Sequence, residues 1–424
     1  MNEVVTIILG GGQGTRLNPL TLTYCKPAAC VGGKYRLIDI PISNALNSGC
    51  SKIFILTQFL STPLHQHLAR TYRLDTFSNG FIELLTAEQK PNQQTWFQGT
   101  ADAVRQNIEY IAHASADYFL ILSGDQLYNM DFKAMVRFAQ ETDADLVVAA
   151  LPVAESEAKR MGVLKINEDR FITEFYEKPQ AREVLDHMRL PEFTLKQIVN
   201  EEGKAPKEYL GSMGIYLFKR QALFDLLDQD PNEDFGKHLI PTKVKQGKVA
   251  AFLFDGYWED IGTIASFFEA NIAMTREDPP LNCYDEKNPI FSQPLHLPAP
   301  KVTDTEVFQS IICEGSYIEA KSVKSCVLGP RTVVKKGTTL DHVYVMGHDF
   351  YAPAAPNSKL PHEFSIGENC TIERAIIDKH VYIGNGVQLI NKQNLTHYNS
   401  EYVYVRDGII LVTRGTSIPD GFVF

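Results

Sequence analysis

The sequence is poor in the features that mark membrane, secreted and nucleic-acid-binding chains. It has no run of 18 apolar residues, so no segment reads as a membrane-spanning helix. A short apolar run begins at Val4, which leaves no room for a leader after Met1, and the chain is expected in the cytoplasm. The seven cysteines, at 25, 30, 50, 283, 313, 326 and 370, never fall into the close pairs that zinc or dithiol sites need, and they read as reduced thiols. A positive surplus is also absent. With a formal charge of −10, neither nucleic acid nor an anionic membrane is the expected partner. A hydrophobic content of 44% and 424 residues leave ample material for two or three packed domains.

What is present begins with LGGGQGTRL, residues 9 to 17, entered directly from the apolar run Val4 to Leu9. An apolar run of this kind reads as a strand of a parallel sheet covered on both faces. Gly10, Gly11, Gly12 and Gly14 free the backbone to bring N–H groups close to an anion, and Arg16 adds a fork suited to phosphate oxygens. Two familiar glycine motifs fail here. The dinucleotide fingerprint needs glycine where Thr15 stands, and the ATPase loop needs Gly-Lys-Ser/Thr where Thr15, Arg16 and Leu17 stand. A ligand-free tight turn is the alternative for the segment taken alone.

Through about residue 150, strands are expected at 4–9, 52–56, 118–122 and 145–150, with a helix opening after Thr100 as its cap. The alternation predicts a mostly parallel, Rossmann-like sheet, with ligands gathered beyond the carboxyl ends of its strands. From 151 to about 275 the pattern is mixed: strands near 163–166, 171–175, 214–218 and 249–254, and a helix near 219–228. Residues 277–301 carry six of the 22 prolines and read as an extended connector between domains at 1–276 and 302–424. Beyond it, Ile312, Ile318, Leu328, Val334, Leu340 and Met346, then Ile366, Ile372, Ile377, Ile383 and Leu389, keep a period near six, which predicts a parallel β-helix. Residues 348–363 would loop out of a coil.

Asp125, in SGDQLY, follows a buried strand and would face the glycine turn. There a carboxylate can hold Mg²⁺ together with substrate phosphates, although a turn cap would also explain it. Asp260 in YWEDIGT is the candidate second carboxylate; an acid before a helix is the alternative. Lys178 and Lys26 each precede a proline that would brace the ammonium, though both could be solvated surface lysines. Gln98, Gly99 and Thr100, at a helix start, could read a base edge.

With these residues assembled, the chain resembles the glucose-1-phosphate adenylyltransferases, the ADP-glucose pyrophosphorylases of glycogen and starch synthesis. The glycine turn is shared with sugar-phosphate nucleotidyltransferases in general. GGKYRLIDIPISNALNSG (32–49), WFQGTADAVRQN (96–107), LGSMGIY (210–216) and DGYWEDIGT (255–263) resemble this branch. The resemblance implies a C-terminal left-handed β-helix, Mg²⁺ as cofactor, ATP and glucose 1-phosphate as substrates, and a homotetramer. It assigns Leu9, Gly10, Gly11, Gly12, Gly14, Thr15, Gln98, Gly99 and Thr100 to the nucleotide. Arg16, Lys26 and Asp125 become catalytic, and Asp125 and Asp260 become metal ligands. Gly162, Glu177, Lys178 and Ser212 fall to glucose 1-phosphate, and Arg36, Lys379 and Arg414 to an anionic effector. One departure stands out: where the family commonly has basic residues before its KPA motif, this chain has Thr23, Tyr24 and Cys25. Half of the effector site is thus expected to be missing. Other readings are a non-catalytic regulatory subunit, a fused hexapeptide acyltransferase, and an enzyme using UTP or dTTP.

Overall fold

The computed structural model describes residues 3–75, 77–88, 95–190, 206–352 and 360–424. In the first part of the chain, nine strands form one sheet: Val4–Leu9 (β1), Lys52–Thr57 (β2), Phe81–Thr86 (β3), Tyr118–Ser123 (β4), Leu146–Val153 (β5), Gly162–Ile166 (β6), Ile172–Glu177 (β7), Tyr209–Lys219 (β8) and Val249–Leu253 (β9). The order runs β7-β6-β8-β4-β1-β2-β3, and β5 pairs with both β8 and β9. From β4 to β3 every pairing is parallel. β8 runs antiparallel to β4, β5 and β6 and joins the parallel half to the mixed segment, and β7 at the other edge runs antiparallel to β6.

The continuous apolar runs have a clear cause. Val4, Ile8, Ile53, Ile55, Leu120 and Leu122 pack into one core, while the alternate residues Val5, Ile7, Phe54, Leu56, Phe119 and Ile121 pack into another. Both faces are therefore covered, and neither tolerates a polar alternation. Phe132–Thr142 shows how a covering helix is specified. Asp131 caps it by accepting from the Lys133 N–H at 2.9 Å. Its buried Phe132, Met135, Val136 and Ala139 fall three or four residues apart on one stripe.

Residues 277–300 form neither helix nor strand and lie along the helix Asp39–Asn47. They are pinned there by Asn47 Nδ2 to the Pro289 carbonyl (3.0 Å) and by the Phe291 N–H to Ser43 Oγ (2.9 Å). The chain then stacks into parallel coils whose inward residues sort onto three faces. Ile318, Val334, Ile366 and Ile383 stack on the first, Val323, Leu340, Ile372 and Leu389 on the second, and Ile312, Leu328, Val345, Ile377 and Val412 on the third. Met346 is a correction to the periodic series: Val345 takes the inward place, and Met346 turns outward into the core shared with the first domain. Of the expected loop at 348–363, residues 353–359 lie outside those described. The prism docks on the helix Ile264–Ala273 through Phe267 against Tyr344 (5.8 Å between rings) and Arg374 with Glu269 (3.0 Å). Among the described residues no helix is long and apolar enough to cross a membrane.

Candidate active site

The site begins at the carboxyl ends of β1, β2 and β4, which parallel register brings to one rim: Leu9 stands between Leu56 and Ser123. Gly10 N–H donates to the Leu56 carbonyl (2.8 Å), and Gly124 N–H to the Leu9 carbonyl (3.0 Å). At Gly14 φ is +65°, a conformation glycine adopts without strain, and a β-carbon there would also crowd Lys26 Cβ at 3.0 Å. Thr15–Leu17 then forms one 3₁₀ turn.

Asp125 lies in the turn between β4 and the short strand Gln126–Tyr128. That strand pairs antiparallel with Trp258–Asp260, opposing Asp260 to Gln126. The ribbon brings the two carboxylates onto one ammonium: Lys26 Nζ is 2.6 Å from Asp125 Oδ2 and 3.5 Å from Asp260 Oδ1. Lys26 is buried in the turn Lys26–Ala28. Asp260 Oδ2 and Arg16 Nη1 both crowd the space above Gly262, at 3.1 and 3.2 Å from where its β-carbon would stand. Burial pushes the Asp125 carboxyl up, but the Lys26 charge, hydrogen bonds from Lys26 and Ser123, and the Arg16 charge outweigh it and hold Asp125 below the ordinary carboxylate range.

A cleft of about 500 Å³ opens from this rim, and a smaller one of about 220 Å³ adjoins it. Leu9, Gly12 and Asp125 line both. Gly10, Gly14, Thr15, Arg16 and Lys26 line the smaller; Gly11, Gln98, Gly99, Thr100, Glu177 and Lys178 line the larger. Both volumes suit pieces of a small-molecule ligand.

Several sequence expectations change in detail. Thr100 is not the cap: the helix Thr100–Gln106 is entered from Gly99, and its Ala101 and Asp102 N–H groups are taken by the Glu233 carbonyl. Thr100 Oγ1 instead accepts from Phe235 N–H at 3.0 Å. Pro179 braces the chain at Lys178 but not the ammonium. Lys178 has φ +48° and its N–H bonds the Met161 carbonyl, yet its side chain is 56% exposed and meets Glu177 Oε1 at 3.1 Å. Strain of this kind costs about 1–3 kcal/mol, and it occurs here on the rim of the cleft. Asp260 ends a strand, and the following helix is capped by Thr263, which removes the reading of Asp260 as a helix-start acid. Gly162 and Ser212 are not among the residues lining the cleft. Gly162 sits opposite Glu177 in register, where a β-carbon would strike the Phe175 ring at 2.4 Å. Ser212 is buried in β8 and accepts from Gly214 N–H at 3.3 Å.

Asp234, Phe235 and Gly236 also line the larger cleft and were missed from sequence. The available signal was a capping acid, since Asp234 accepts from the Lys237 N–H at 2.9 Å. The segment then enters a wide π-type turn, a form frequent at functional sites.

Arg36, Lys379 and Arg414 all lie where the two domains meet. Arg36 and Lys379 line one small cleft with Lys34 and Arg331. Lys379 is paired with Asp349 (2.6 Å), and Arg36 Nη1 donates to the Ala28 carbonyl (2.9 Å). Arg414 lies over the ring of buried Tyr24, 5.4 Å from its centre. Tyr24 thus takes an interior place, with its hydroxyl against Met346 Sδ at 3.8 Å.

Against known families, residues 5–277 match the nucleotidyl transferase family, and residues 296–423 match a GLGC left-handed parallel β-helix domain.

Proposed function

This chain belongs to the nucleotidyl transferase family, whose substrates are a nucleoside triphosphate and a sugar phosphate, and from that premise we propose its particular reaction. It transfers the adenylyl group of ATP to α-D-glucose 1-phosphate, giving ADP-glucose and pyrophosphate for glycogen or starch synthesis. The observation that carries the reading is the convergence of Asp125 and Asp260 on Lys26 beside the glycine turn, with Asp125 lining both the smaller cleft that holds Lys26 and the larger one that holds Glu177 and Lys178. The match to the GLGC β-helix and the sequence resemblance support the choice of ATP and glucose 1-phosphate.

Two carboxylates are a sparse set of hard oxygen donors that suits Mg²⁺, which completes its shell with phosphates and water. Among the described residues there is no cluster of three acids, histidines or cysteines that would suggest a self-sufficient cage. Asp125 and Asp260 would hold the ion, which when bound supplies charge neutralisation at phosphate oxygens. The attacking atom is a phosphate oxygen of glucose 1-phosphate. It bonds to the α-phosphorus of ATP as the bond to the β-phosphate oxygen breaks. That oxygen is largely ionised at neutral pH, its second pKa being ~6, so no general base is needed. Arg16 and Lys26 neutralise the developing charge, and Glu177 and Lys178 hold the sugar phosphate. Positioning and electrostatics do the remaining work.

Lys178→Ala is expected to raise the KM for glucose 1-phosphate about 10- to 150-fold, the worth of one charged hydrogen bond, with a smaller fall in kcat. Steady-state kinetics with an unchanged KM would remove Lys178 from the sugar-phosphate site. The interdomain residues carry a second expectation. With Tyr24 packed under Arg414 and Lys379 paired to Asp349, fructose 1,6-bisphosphate and 3-phosphoglycerate should activate synthesis by less than the ~5-fold at which ordinary allosteric coupling begins. Large activation in the forward assay would contradict this. The same reading extends to a cytoplasmic homotetramer, which light scattering tests for its mass. The whole reading is tested by ADP-glucose formation from ATP, Mg²⁺ and glucose 1-phosphate, and a protein that forms none refutes it.

A further inference from the structure

Gln58 follows β2 directly and lines the larger cleft, yet nothing in the proposed chemistry uses it. Its side chain lies against the glycine turn: a β-carbon on Gly11 would come within 3.2 Å of Gln58 Cγ. The amide orientation is set by its neighbour, because Gln58 Nε2 donates to the Phe97 carbonyl at 3.3 Å and an oxygen in that place would meet another acceptor. Among the described residues, Gln58 Oε1 is buried and finds no hydrogen-bond partner. A buried acceptor in that state is costly, and a ligand that supplies a donor recovers the loss.

The surroundings describe the donor. Leu9, Leu56 and Phe97 line the same cleft among its polar groups, and apolar surface of this kind suits the faces of a flat heterocycle better than a sugar or a phosphate. Arg16 and Lys26 line the adjoining smaller cleft, and Lys178 is paired with Glu177. The neighbouring Gln98 is exposed and its Nε2 is tied to the Trp96 carbonyl at 2.6 Å, so its own oxygen is open to water and discriminates weakly. Gln58 Oε1, by contrast, is a buried acceptor.

We propose that Gln58 is a specificity-determining residue: its carboxamide oxygen accepts a hydrogen bond from the exocyclic 6-amino group of the nucleotide base and so selects adenine. The inference rests on the reading of this cleft as an ATP site. A base carrying a carbonyl oxygen at that edge would set two acceptors against each other, and a base with hydrogen there would leave Gln58 unpaired.

Purine riboside triphosphate, which is ATP with hydrogen in place of the 6-amino group, is the probe. With the full-length wild-type chain, kcat/KM should favour ATP over the analogue by about 10- to 100-fold, since a site built around a buried hydrogen-bonding group rejects the partner that lacks it. In Gln58→Met the ratio should fall close to one, through loss of activity with ATP, while the KM for glucose 1-phosphate stays unchanged. Calorimetric binding of the two nucleotides to the wild-type protein reads the same preference without any variant, and ATP should bind more tightly by a similar factor. Equal use or equal binding of the two nucleotides by the wild type, or an undiminished ratio in Gln58→Met, overturns the assignment. Preference of the wild type for UTP or dTTP over both purines would instead defeat the reading of the cleft as an ATP site.

Discussion

Asp125→Asn should leave a folded protein with almost no turnover, a fall in kcat of about 10³-fold or more. The estimate follows from the role. A ligand of the ion that neutralises transition-state charge is worth several kcal/mol, and each ~1.4 kcal/mol is a factor of ten in rate. Asparagine keeps the size of the side chain and one oxygen, so the turn between β4 and Gln126–Tyr128 can still form. What it loses is the charge that Lys26 meets at 2.6 Å and the hard anionic donor that Mg²⁺ prefers. The measurement is kcat over a range of Mg²⁺ concentrations, with the unfolding transition checked in parallel. Retained Mg²⁺-dependent turnover near the wild-type rate would remove Asp125 from the metal site.

Lys26→Met should lower both turnover and stability. The ammonium is buried between two acids, so its removal leaves Asp125 and Asp260 without their nearest counter-charge, with the Arg16 charge remaining. Breaking a buried pair costs ~3–5 kcal/mol, and the lower end applies because the Asp260 side chain is 43% exposed. At ~2 °C per kcal/mol for a domain of this size, Tm should drop by about 6 °C. The pH dependence has a definite sign. In the native protein Asp125 sits below its ordinary pKa, so its contribution to stability is complete above the unfolded-state value and is lost as pH falls through the folded-state value. Without Lys26, the two lowering contributions it makes are lost while burial still pushes upward, so Asp125 is expected to rise from its native value. The acid limb of the rate profile, and the onset of acid unfolding, should both move to higher pH. Added Mg²⁺ should restore part of the lost stability, because it replaces the missing charge. An unshifted acid limb would show that Lys26 does not govern the ionisation of Asp125.

How much of this was legible in the sequence depends on what each segment buries. β1, β2, β4 and β5 are readable because a strand covered on both faces must be apolar throughout. Phe81–Thr86 was missed because it is an edge strand with an exposed Glu83, so its pattern is diluted. Only the second half of β8 was legible. Its first half contains Gly211 and Ser212, and the register with β5 shifts between Ser212 and Tyr216, which interrupts any period. In the C-terminal domain the six-residue spacing exposes the coils, because each turn must refill the same interior. It does not say which residues share a face, and it misplaced Met346, whose apolar side chain serves the domain interface instead.

The site divides in the same way. Asp125 and the glycine turn were legible because each follows a readable strand. The meeting of Asp260 with Asp125 was not, since it depends on an antiparallel ribbon between strands 130 residues apart in sequence. Asp234 to Gly236 reach the cleft through tertiary packing, with only a capping acid to mark them, whereas Gln58 directly follows the readable strand β2 and could have been placed on the rim by the same rule.

The most direct test of the account is product formation when purified protein is given Mg²⁺, glucose 1-phosphate and each nucleoside triphosphate in turn, with pyrophosphate and sugar nucleotide both quantified. Stoichiometric pyrophosphate and ADP-glucose are expected with ATP, abolished by chelation of the metal. Release of pyrophosphate without a sugar nucleotide, or the same yield with Asp125→Asn as with the wild type, would contradict it.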